Sequence, residues 1–153
     1  MEVKFTPRST NGNVVPYETI KEALIQHIKM TFHKAIDVTK ALESMMPLDF
    51  ESESIKPKKK TSDIRAPDNA NDATKDLKEQ ERWVDQDDFD RAYQEAYKLH
   101  LDRAKDYREI MHKTYTTIFR AFCTKAMQLY IELHPHFELK LRHNPIATLV
   151  VIK

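Results

Sequence analysis

The chain has 153 residues, with 25 Lys and Arg against 24 Asp and Glu, 41% apolar and 32% charged residues. That length fits one domain with or without an arm, and the near-zero charge balance excludes a polycation that binds nucleic acid over its whole surface. One Gly and seven Pro argue against a sheet-rich fold, and the single cysteine, Cys123, excludes an internal disulfide and any CxxC or CCHC zinc motif.

Residues 1–16 read as an irregular arm, with turn chemistry at Thr10-Asn11-Gly12-Asn13. Pro16 suits the first turn of a helix, where its missing N–H costs nothing. From 17 to 47, Ile20, Leu24, Ile28, Phe32, Ala35, Ile36, Leu42 and Met46 recur at helical spacing. One helix, or two joined around Asp37, is predicted there, ended by Pro47. Residues 48–73 are rich in charge, Ser, Asn, Asp and Pro and carry too little apolar surface to offset ordering, which predicts a flexible, disordered linker.

Helical character returns at 74, with Thr74 or Asp72 as the cap. Leu77, Trp83, Val84, Phe89, Ala92, Tyr93, Ala96, Tyr97, Leu101 and Ala104 form a stripe to about residue 105, flanked by Asp85, Asp87, Asp88 and Asp90. The longest Gly- and Pro-free helical run, Leu99 to Leu133, then predicts a core helix, either restarted at Asp106 or continuous with its predecessor. Its stripe is Met111, Tyr115, Ile118, Phe119, Phe122, Ala126, Leu129, Tyr130 and Leu133. Pro135 ends it, Phe137 to Leu141 reads as a loop or short helix, and Asn144-Pro145 reads as an N-cap and first-turn proline for a last apolar helix. That helix stops at Lys153 after about two turns, which reads as a fragment of a longer frame or a segment that docks into a partner. The fold expected is all-α: a small bundle of three to five amphipathic, coiled-coil-like helices with a disordered linker, the region 74–153 forming its main part.

No glycine-rich phosphate loop, GxSxG elbow or HExxH helix is present. His134, His136 and His143 lack a spaced partner set, and the four aspartates lack a calcium-loop glycine, so no metal, cofactor, catalytic residue or small-molecule substrate is expected. The candidate core and self-association residues are Trp83, Phe89, Tyr93, Tyr97, Met111, Tyr115, Ile118, Phe119, Phe122, Leu129 and Tyr130. Candidate nucleic-acid contacts are Lys58, Lys59 and Lys60 of the KPKKK cluster, with Arg103, Lys105, Arg108, Lys113, Arg120 and Lys125. The plainer reading is a solvated charge, favoured for the KPKKK cluster and at least as good for the others. No apolar run approaches the roughly 20 residues of a membrane span, and the stretch MEVKFTPRSTNGNVV lacks a signal-peptide core, so a cytoplasmic or nuclear protein without membrane contact is expected.

Tyr107, Lys113-Thr114-Tyr115, Ile118-Phe119, Cys123-Thr124, Ala126-Met127 and Leu129 stand in an order that carries a resemblance, with Phe137 and Ile146 to Lys153 as a following spacer and last helix. Upstream, HIKMTFHKAIDVTKAL (His27 to Leu42) has an aromatic followed by an Asp and a further helical turn. The stretch from about Glu81 to Lys153 resembles the Gag-like region of copia-type LTR retrotransposons, in particular the branch abundant in microalgal genomes. Ala121-Phe122 replace the Gly-Gln such elements commonly show before the cysteine, and no zinc knuckle, protease or integrase segment is present. The resemblance implies a non-enzymatic, capsid-like protein of a transposable element, intact or as a truncated copy, that forms homo-oligomers around element RNA. The alternative is a helical adaptor that binds a partner helix through the Trp83–Tyr97 face without nucleic acid.

Overall fold

The computed structural model describes residues 4–7 and 15–153; the turn expected at Thr10 to Asn13 lies outside them. The protein is all-α. Its helices are α1 (Tyr17–Thr31), α2 (Ile36–Ser44), α3 (Asp72–Ala121), α4 (Lys125–Glu132) and α5 (Pro145–Ile152), with one wide π-turn (Phe137–Leu141) before α5. The chain divides into two compact units. The first comprises residues up to Leu48 together with Lys105–Lys153, and the second is Asp49–Ala104.

In the first unit, Ile20, Leu24 and Ile28 line one side of α1 at steps of four and are buried. α2 packs against α1 and α5, placing Val38 and Leu42 in the same core. The 17–47 segment is two helices, with the break at Phe32 to Ala35 rather than at Asp37, which lies in the first turn of α2. Among the described residues, Lys34, Met45 and His143 hold φ near +60°. Met45 closes α2 in the left-handed conformation usually left to glycine. At α5 the predicted cap is present: Asn144 Oδ1 accepts from the Ala147 N–H at 3.0 Å, with Pro145 in the first turn. The buried Thr148 hydroxyl donates back to carbonyls of Asn144 and Leu141 (2.8 and 3.0 Å), holding α5 onto the π-turn.

The helix predicted over Leu99 to Leu133 is not one helix. α3 stops at Ala121, the backbone is extended around Phe122 to Thr124, and α4 starts afresh. The cause lies far off in sequence. The Phe5 N–H donates to the Phe122 carbonyl (2.7 Å) and the Thr124 N–H donates to the Phe5 carbonyl (3.1 Å), a short bridge that takes backbone groups a continuing helix would use. Thr124 then caps α4, its hydroxyl accepting from the Met127 N–H at 3.2 Å. The restart re-aims α4: Met127 and Ile131 face the core, while Ala126, Leu129, Tyr130 and Leu133 face solvent.

In the second unit, residues 49–71 hold no helix or strand but run against the Asp72–Ala104 part of α3. The tie is Ser62, buried among its neighbours: its hydroxyl donates to Asp85 Oδ2 at 2.6 Å and its N–H donates to Gln86 Oε1 at 2.9 Å. Gln86 Nε2 in turn donates to the Lys60 carbonyl at 3.1 Å. The α3 cap is Asn71, whose side chain accepts from the Thr74 N–H at 2.8 Å, in place of the expected Thr74 or Asp72. Helix runs on through Asp106 without a restart.

Candidate interaction surfaces

The eleven apolar and aromatic candidates fall into three groups. Tyr115 and Ile118 are core residues of the first unit. Phe89 and Tyr93 in the second unit, and Met111, Phe119 and Phe122 in the first, are half-buried. Phe122 meets His27 edge-on at 5.6 Å, and Tyr115 stacks on Phe119 at 6.0 Å. Trp83, Tyr97, Leu129 and Tyr130 are exposed and lie outside this chain's own core. Trp83 is 66% exposed, and Leu77, Val84, Leu99 and Leu101 join it as exposed large apolar residues on the same stretch of α3. One side of that stretch is occupied by residues 49–71, and among the described residues nothing covers the remaining apolar side chains.

The acidic run on α3 is engaged in local contacts. Asp85 accepts from Ser62, Asp87 pairs with Arg91 at 2.7 Å, and Asp90 accepts from Gln86 at 3.0 Å. Among the described residues no group of three or more His, Cys, Asp or Glu is placed to hold a metal ion. The histidines singled out in the sequence are found in two pairs. His134 sits by His136, with ring centroids 5.7 Å apart, while His143 stacks on His112 at 4.2 Å. Local desolvation, and then the neighbouring charges of His112 and Arg142, hold the His143 imidazole below its usual value.

The basic candidates do not form one stripe. In the second unit, Lys59 lies over the Tyr93 ring at 5.3 Å and the Arg103 guanidinium over Phe50 at 5.4 Å, while Lys58 and Lys60 are exposed. In the first unit Lys105, Arg108, Lys113, Arg120 and Lys125 are all exposed. Helical geometry puts Lys113 and Arg120 on one side of α3 and Arg108 about 140° round from Lys113.

Cys123 is buried, and desolvation pushes its thiol up to about 12, away from the thiolate a nucleophile or metal ligand needs. Its neighbours Phe122 and Thr124 carry the bridge to Phe5, which gives this stretch a structural part. An open groove of about 500 Å³ is lined by Thr19, Glu22, Ala23, Ile25, Gln26 and Glu43, and Glu43 is paired with Lys29 at 3.3 Å. A second, of about 250 Å³, is lined mainly by Phe5, Pro16, Tyr17, Ile20 and Ile152. Burial, with the Glu18 charge adding to it, pushes the Tyr17 phenol up to about 12.

Three features went unforeseen from the sequence: the main-chain bridge that Phe5 makes to Phe122 and Thr124, the tie at Ser62, and the inward turn of Met127 and Ile131. Only the last has a local signal, since Met127 and Ile131 are themselves one helical turn apart. No family model matches the chain, nor does any curated protein or any solved structure. Among the described residues no helix is long and apolar enough to cross a membrane.

Proposed function

We propose that this chain is a non-enzymatic helical assembly protein that self-associates through exposed apolar helix faces, in the manner of a retrotransposon Gag-like capsid region, with element RNA as a second partner. The observation that carries the reading is the run of uncovered large apolar side chains on α3 around Trp83, joined in the first unit by those of α4. Apolar surface of this kind marks a site where another protein surface docks. The RNA part rests on the sequence resemblance and on exposed Lys58, Lys60, Lys113 and Arg120. The even charge balance makes that contact a salt-sensitive, non-specific one. A cytoplasmic or nuclear setting goes with this reading.

The test is light scattering after size-exclusion chromatography of the full chain across a wide concentration range, read at protein and nucleic-acid wavelengths. Concentration-dependent oligomers carrying nucleic acid that leaves in high salt are expected. A monomer free of nucleic acid throughout refutes the assembly reading. It leaves the adaptor reading, favoured by Trp83 and Tyr97, which are both exposed and two heptads apart on α3.

A further inference from the structure

α4 is apolar on two sides. Its inner side, Met127 and Ile131, is buried in the first unit. Its outer side carries Ala126, Leu129, Tyr130 and Leu133 at positions i, i+3, i+4 and i+7, the spacing of a helix-packing face. Leu129, Tyr130 and Leu133 are 57%, 52% and 81% exposed.

The charges on this helix are arranged against its own dipole. Lys125 sits at the N-terminal end and Glu132 at the C-terminal end, with no acidic residue in the first turn and no basic residue in the last. Neither makes an ion pair among the described residues. Counted at 100° per residue, the two lie on the same flank of the outer stripe, seven residues apart. A two-fold axis perpendicular to the helix and in the plane of contact reverses direction along the helix but keeps the flank. It therefore sets Lys125 of each copy opposite Glu132 of the other. It also brings each charge to the end of the partner helix whose dipole favours it, and sets small Ala126 against large Leu133. A parallel pair would bring opposite flanks together and leave both charges unmatched.

From this arrangement we infer that the outer face of α4 is an isologous interface for a second copy of this chain, in which two α4 helices pack antiparallel and are held in register by reciprocal Lys125–Glu132 pairs. The inference deepens the assembly reading proposed above and rests on it. The face is small beside a standard interface, so the contact is a weak one that repeats in an assembly.

The experiment uses nuclease-treated full-length chain, with sedimentation velocity from about 1 µM to about 1 mM to cover the range of a small interface. The variants are Lys125→Glu, Glu132→Lys and Leu129→Asp. All three positions are solvent-facing, and far-UV circular dichroism checks that each variant folds. Each single charge reversal places two like-charge pairs in the interface and is expected to weaken association about ten-fold. Leu129→Asp is expected to abolish it at this face. An equimolar mixture of Lys125→Glu and Glu132→Lys regains opposite charges at both pairs, and is expected to associate as tightly as the parent. Association untouched by all three variants, or a mixture no tighter than its components, overturns the α4 interface while leaving assembly through another face. A parent chain that stays monomeric over the whole range overturns both.

Discussion

Met127 and Leu129 sit two residues apart on α4 and are of similar size, but the structure gives them opposite surroundings: Met127 is 2% exposed and Leu129 is more than half exposed. Met127→Ala removes buried atoms and leaves a space that the core only partly closes, at a cost of about 3 kcal/mol. Leu129→Ala removes a side chain already mostly in water, so the transfer loss is at most about 1 kcal/mol, and alanine's better helix propensity offsets part of it. The two variants should thus differ by about 2 kcal/mol, or about 4–8 °C in Tm for a chain of this size. Urea and thermal unfolding followed by circular dichroism, in dilute solution where copies stay apart, measures the difference. Equal costs, or a larger cost for Leu129→Ala, would mean that α4 turns its other side to the core. That result would remove the outer stripe and the interface built on it.

Asn144→Ala removes the cap of α5 and should lower stability by about 1 kcal/mol, read as a shift in the urea midpoint. Met45→Gly frees a left-handed position from its side-chain clash and should hold or raise stability by up to about 1 kcal/mol; a clear loss would mean that the Met45 side chain contributes more than the clash costs. Cys123 and Tyr17 both titrate near 12 in the fold, above their ordinary values, so folding favours their neutral forms. Their contribution is complete below the unfolded thiol's value of about 9 and is lost as pH rises from there toward about 12. Urea midpoints measured upward from pH 8 should fall over that range, and Cys123→Ala should delay the fall to the range where tyrosine ionises.

Much of the helical outline is legible in the sequence because it is written in local chemistry. The steps of four in α1 and the Asn144-Pro145 start of α5 concern residues that touch their own near neighbours, and the structure contains both. The division of 99–133 into α3 and α4 is different in kind. Its partner is the main chain of Phe5, more than a hundred residues away, and at the break only Thr124, a residue type that caps helices, carries a local hint. Once the helix restarts, counting threes and fours across the break no longer says which side is inward. That is why Leu129 and Tyr130 read as core while Met127 and Ile131 fill that place. Because α4 is apolar on both sides, its own period could not arbitrate. Trp83 shows the same limit: helical spacing assigns it to a stripe, but only the fold shows that residues 49–71 cover another side of that helix. Ser62 carried no signal because one serine in a charged segment looks like any other.

The first unit is discontinuous along the chain, and this bears on how the protein is made. The Tyr17 hydroxyl donates to the Leu149 carbonyl and Phe5 bridges to Cys123, so the N-terminal segments find these partners only after more than a hundred further residues have been made. At synthesis rates of about 5–20 residues per second, α1 and α2 wait several seconds with Ile20, Leu24 and Leu42 uncovered. The stretch Asp49–Ala104, whose ties run between residues close in sequence, emerges whole in that interval and can organise first. Within the first unit the Leu48 N–H donates to the Tyr107 hydroxyl at 3.0 Å, so the chain leaves that unit and returns to it at neighbouring points.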